Sequence, residues 1–120
     1  MNAKVYERGL KQVRSLCLAL PEACEVEAWG HPTFRAGKKV FAAFGELEGV
    51  LSLGLKAGFE RQEELLKDAR FFPTPYAAHQ GWVSLHIDGD TDWEEVAGLV
   101  REAYRQVALK RMLKALDAEA

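Results

Sequence analysis

The lysines and arginines of this chain gather in two places where they could meet phosphate. Arg35, Lys38 and Lys39 lie close together around a glycine. Arg101, Arg105, Lys110, Arg111 and Lys114 run through the C-terminal part. Phosphate binding needs such side chains on one face, where they give a sequence-independent, salt-sensitive attraction. A hairpin tip and a helix presenting cations would straddle a duplex backbone. The competing reading is a solvated surface, with cations near a helix C-terminus favoured by the macrodipole. No RNP, helix-turn-helix or zinc-finger pattern accompanies them.

A second group is aromatic. Trp29, Phe71, Phe72, Tyr76, His79 and Trp82 are dense for so short a chain, and most surround Pro73 and Pro75. Rings with polar tips beside Arg70 and His79 suit the lining of a concave site. Trp29, Phe72, Tyr76, His79 and Trp82 are therefore candidate groove residues for a peptide or small ligand. The expectation is that this segment borders the largest pocket, with Tyr76 and Trp82 partly exposed. The alternative is that the rings fill a seam where an irregular segment packs on a sheet.

Catalytic and metal chemistry find little support. His31, His79 and His86 lack the i,i+4 spacing of helical ligands. Ser52 and Ser84 have no nucleophile elbow, and there is no glycine-rich phosphate loop. No catalytic residue, metal or cofactor is expected. Cys17 and Cys24 read as reduced, mostly buried thiols.

The elements that must position these groups follow from periodicity. Tyr6, Leu10, Val13, Cys17 and Leu20 share one helical face, and Pro21 ends that helix. Strands are expected at 25–29, 33–36, 39–44, 50–56 and 81–87. Gly37-Lys38 suits a type II′ turn, placing Phe34 opposite Phe41 and Ala36 opposite Lys39. Residues 45–49 read as the next turn. Leu51, Leu53 and Leu55 alternate with Val50, Ser52 and Gly54, and Val83, Leu85 and Ile87 with Trp82, Ser84 and His86, so each strand has one buried face. Residues 60–70 read as a short surface helix, and 71–78 as an extended segment or edge strand. Thr91 and Glu94 form a capping box for a last helix with a stripe of Trp93, Val96, Val100, Ala103 and Val107. Residues 110–120 read as its frayed or projecting continuation.

This order predicts an α+β fold with two layers, an antiparallel sheet packed against N- and C-terminal helices, with one short middle helix. The 120 residues, 48% of them hydrophobic, suit a single domain over 1–120, with its core at about 4–108 and a helical tail at 109–120. A net charge of −2 argues against tight non-specific DNA binding. No apolar run approaches a membrane span, no signal-peptide core is evident, and the cytoplasm is the expected compartment.

An ordered set of short motifs resembles the MmcQ/YjbR-like family. It comprises Leu20-Pro21-Glu22, His31-Pro32-Thr33-Phe34-Arg35, Gly37-Lys38-Lys39-Val40-Phe41-Ala42, Leu55-Lys56, Pro73-Thr74-Pro75-Tyr76, Gly81-Trp82, Asp88-Gly89-Asp90 and Ala103-Tyr104. The resemblance spans about residues 10–108. It departs at Glu22, where glycine is common, and at Ala103, where serine is usual. It implies a two-layer fold likened to CyaY and to secretion chaperones, a DNA-binding label that rests on fold comparison, and no agreed catalytic residues. The expectation is a non-enzymatic DNA-binding domain through Arg35, Lys38, Lys39, Arg101, Arg105, Lys110 and Arg111. The alternative is a protein-interaction module.

Overall fold

A computed structural model describes residues 3–119. Helix α1 (Ala3–Leu18) is followed by strands β1 (Ala23–Ala28), β2 (His31–Ala36), β3 (Lys39–Leu47) and β4 (Val50–Lys56). Helix α2 (Phe59–Leu65), the short strand β5 (Phe71–Pro73), a 3-10 turn (Ala78–Gln80) and strand β6 (Trp82–His86) come next. Helices α3 (Trp93–Val107) and α4 (Lys110–Ala118) complete the chain. The strands form one antiparallel sheet in the order β1-β2-β3-β4-β6-β5.

Alternation decides which side of the sheet the helices cover. Leu51, Leu53, Leu55, Val83, Leu85 and Ile87 are all buried, as expected. They pack with Leu10, Val13 and Cys17 of α1 and Val96, Val100, Ala103 and Tyr104 of α3 in one core. Helix α1 sits close to the sheet because position 9 is glycine: a Cβ there would lie 2.9 Å from Phe44 Cζ. Tyr104, which the helical stripe did not include, meets Phe41 edge-on at 5.5 Å. Its hydroxyl donates to the Pro21 carbonyl oxygen.

Several sequence expectations need correction. Gly37 has a φ of 65° and pairs Ala36 with Lys39 as expected, but a β-bulge follows. Phe34 therefore faces Ala42, not Phe41, and both Phe41 and Ala42 turn toward the helices, fully buried. A bulge adds one unpaired residue and so lets two successive side chains share a side. Strand β3 continues through residues 45–47, and its turn is Glu48-Gly49 alone. The middle helix stops at Leu65, with Leu65 buried and Leu66 exposed. The N-cap of α3 is Asp92, whose carboxylate accepts from the Glu94 and Glu95 amides. Thr91 instead accepts from the Asp88 amide through its hydroxyl.

Residues 110–119 do not fray, and Ala120, the last residue of that expected continuation, lies outside the described residues. Ala108 and Leu109 adopt extended backbone angles, the chain turns back, and α4 buries Met112 and Leu116 in the core. An ion pair from Arg105 to Asp117 ties α4 to α3, and one from Arg111 to Glu22 ties it to the segment after α1. Cys17 is buried and Cys24 is exposed, so only one of the two thiols is in the core.

Candidate functional site

The helices leave the other side of the sheet uncovered, and the pairing register reads out its surface. Across the middle run Val26, Thr33, Ala43, Gly54, Ser84 and Phe72, in that order from β1 to β5. Four of those six side chains are no larger than threonine, so this row is a shallow trough, and its floor at Thr33, Gly54 and Ser84 is buried between larger neighbours. Two features hold its floor together: Thr33 Oγ1 donates to the Val26 carbonyl oxygen, and Thr74 Oγ1 lies 2.8 Å from Ser84 Oγ.

Larger groups flank the trough. At one end, Cys24, Arg35 and Val40 are cross-strand neighbours, and Lys56 faces Trp82. The Trp82 ring leans over Gly54, where a Cβ would lie 3.7 Å from its Cε3. Lys56 Nζ donates to the Gln80 carbonyl oxygen. At the other end, the His31 imidazole lies across Gly45, with Nδ1 2.6 Å from where a Cβ would sit. Ser52 and His86 continue this row, and the Phe72 and His86 rings approach to 4.5 Å.

The charge of this surface is one-sided. None of the strand positions facing this side is aspartate or glutamate, although the chain holds 18 acidic residues. Glu25, Glu27 and Glu46 all pair with residues of the helix-covered side. Arg35 is half-buried and makes no ion pair among the described residues. Its Nε is buried without a hydrogen-bond partner. A buried donor left unpaired costs about 1–3 kcal/mol, more when charged, so this position carries a local cost.

The predicted cations do not form one face. Arg35 lies on the open sheet, whereas Arg101, Arg105, Lys110 and Arg111 belong to helices α3 and α4 on the opposite side. Arg105 and Arg111 are already committed to Asp117 and Glu22, and the Arg111 partner holds Glu22 below the usual carboxylate range. Lys38 and Lys39 sit at the β2–β3 tip beside α4, where Met112 Cε approaches Gly37.

The predicted aromatic groove also separates. Trp29, with a φ of 52°, sits in the β1–β2 turn and is 89% exposed. Tyr76, with a φ of 64°, is in the β5–β6 connection and is 99% exposed. These connections lie at opposite edges and opposite ends of the sheet. His79 is exposed in the 3-10 turn, and only Phe72 and Trp82 share the open face. The expectation that this segment borders the main cavity is not met. Two hollows lie elsewhere: one of about 150 Å³ between α1, α3 and α4, lined by Leu16, Leu20, Arg101 and Leu116, and a larger, more open one of about 230 Å³ along α1 beside Lys4, Glu7, Arg8 and Lys11. Trp82 is half-buried as expected, while Tyr76 is wholly exposed.

The residues that sequence reasoning missed are Thr33, Ala43, Gly45, Gly54 and Lys56. Their signal was the alternation itself, since Ser52, Gly54, Trp82, Ser84 and His86 fall opposite the leucine rows. No group of three or more histidine, cysteine, aspartate or glutamate residues suited to a metal occurs among the described residues. No described helix is long and apolar enough to cross a membrane.

Comparison with known proteins supplies the lineage. The YjbR family model matches residues 18–106. The crystal structure of Deinococcus radiodurans protein DR2400, of domain family DUF419, is 26% identical and superposes with a TM-score of 0.72. That match covers 90% of this chain and 87% of the other. A crystal structure of a Pseudomonas syringae protein is 15% identical with a TM-score of 0.68, over 88% and 98% of the two chains, which speaks to the fold alone. No curated protein matches. With the family model spanning the whole sheet and most of α3, the chain belongs to the YjbR family.

Proposed function

We propose that this is a non-enzymatic nucleic-acid-binding domain of the cytoplasm, and that it binds through the helix-free face of the sheet. The observation that carries the reading is a sheet face with Arg35 and Lys56 and no acidic strand residue, in a chain that is acidic as a whole. Segregation of like charge onto one surface gives an anionic polymer a local attraction that the net charge of −2 does not predict. DNA binding, expected from the clustered cations, thus moves from the hairpin tip and terminal helices to the other side of the molecule. Two free cysteines suit a reducing compartment.

Fluorescence anisotropy with labelled oligonucleotides, single-stranded and duplex, over a series of salt concentrations tests this. Binding should weaken with salt, and every phosphate that a variant no longer neutralises should flatten the log–log slope by roughly 0.7–0.9. Arg35→Gln with Lys56→Gln should produce that flattening, whereas Lys110→Gln with Lys114→Gln should not. No binding at low salt, or the reverse pattern, overturns the reading.

A protein-interaction module is the second reading. Exposed Trp29 and Tyr76 favour it, since such rings are common anchors in protein interfaces. Their separation at diagonal corners of the sheet argues against one shared groove.

A further inference from the structure

We infer that the open face is built for a single strand, with unpaired bases lying flat on Trp82 and on the Phe72–His86 pair while Arg35 and Lys56 hold the backbone. The inference rests on the nucleic-acid reading above and names which form of nucleic acid the face takes.

A duplex keeps its bases stacked inside and offers a flat protein surface only phosphates. Affinity for it must then come from many cations, and the strand positions of this face supply two, Arg35 and Lys56, besides His31 and His86. A single strand offers rings as well, and each base–aromatic stack strengthens binding with little regard to sequence. The face is furnished for that exchange. The Trp82 ring lies over Gly54, where the missing side chain leaves the indole low against the sheet. Phe72 and His86 are inclined by 36° at a 4.5 Å centroid distance, forming a second apolar platform across Ser84. Between the two platforms lie only small residues, Gly54 and Ser84, and the Ser84 hydroxyl is already paired with Thr74. Strands about 4.8 Å apart place Arg35 on β2 and Trp82 on β6 roughly 14 Å from each other. That distance accommodates a few nucleotides, the number that other sheet-face binders stack. Arg35, half-buried and without an ion pair among the described residues, marks the cationic end.

The test compares three probes at equal phosphate number: labelled oligothymidylate, a duplex oligonucleotide and inorganic polyphosphate. The expected order places oligothymidylate first, by roughly tenfold or more, the worth of one or two stacks. Trp82→Ala should lower its affinity roughly tenfold, and Trp82→Phe should retain most of it, because a ring remains to stack. Thermal melts of both variants confirm that each is folded. Equal or tighter binding of duplex or polyphosphate overturns the single-strand inference, as does an unchanged affinity in folded Trp82→Ala. If Arg35→Gln still weakens binding in that case, the broader reading survives. If none of the three probes binds, both fall.

Discussion

Cys17 and Cys24 stand close in sequence yet have opposite chemistry. Cys17 lies on the inward stripe of α1, and burial, with a smaller contribution from the Glu25 charge, pushes its thiol up to about 12. Cys24 is exposed on β1, beside Arg35 across the ladder. Only a thiolate attacks an alkylating reagent, so the native protein should be modified at Cys24 and spared at Cys17. Cys24→Ser should abolish native-state labelling, and denaturant should reveal the second thiol. Mass spectrometry of labelled peptides reads this directly, and fast modification of Cys17 would contradict its burial. The sign of the linkage is also fixed. A thiol whose folded value is raised supports the fold below the ordinary thiol range, near 9, and loses that contribution as pH rises toward 12.

Helix α4 shows how an element enters a core without announcing itself. Its two buried side chains, Met112 and Leu116, fill space beside the β2–β3 turn and between α1 and α3. Met112→Ala should cost about 2–5 kcal/mol, the range for large-to-small core changes, as measured by urea unfolding. A cost near zero would make α4 the loose tail that its sequence suggests. Helix α1 offers a test of opposite sign to helix propensity. Gly9→Ala would gain about 1 kcal/mol of propensity, but its methyl would press on the fully buried Phe44 ring. Overpacking costs about 1–3 kcal/mol, so the variant should be destabilised overall. The stripes of α1 and α3 and the alternation of β4 and β6 were legible because each faces a single core. The break at Ala108-Leu109 was not, since neither residue is glycine or proline and the turn is enforced by tertiary packing. The bulge at Phe41 was equally hidden, because the Gly37-Lys38 turn fixes only the first pairs of the hairpin.

At the scale of the whole molecule, one side of the sheet is welded to helices and the other carries none, though Thr33, Gly54 and Ser84 at its centre are buried. The open side was half legible. Ser52, Gly54, Trp82, Ser84 and His86 declare themselves by alternation, but the neighbour order β3-β4-β6-β5 does not follow from any local signal. Arg35 and Lys56 could therefore not be placed on one face with Trp82, and cations that are neighbours in sequence were assigned a common face that strands and helices do not share. On the welded side, ion pairs bridge separate segments, Arg14 to Glu25, Arg61 to Glu102 and Arg70 to Glu95, and Arg70 also pairs with Asp68 within its own loop. The Arg14 hydrogen bond holds Glu25 below its usual range. Hydrogen bonds from the Arg70 side chain and backbone lower Asp68 from 3.8 to about 2. A carboxylate depressed in the folded state stabilises it above the ordinary carboxylate range, and that contribution is lost as pH falls through the depressed value. Thermal stability should accordingly decline from about pH 4 down to about pH 2. These pairs are exposed and solvent-screened, so the decline should be shallow and weaker still at high salt. Asp68→Asn should flatten the acid limb while leaving the salt response of Arg14 and Glu25 in place. Parallel wild-type and variant curves of melting temperature against pH would show that the Arg70 cluster does not couple protonation to folding.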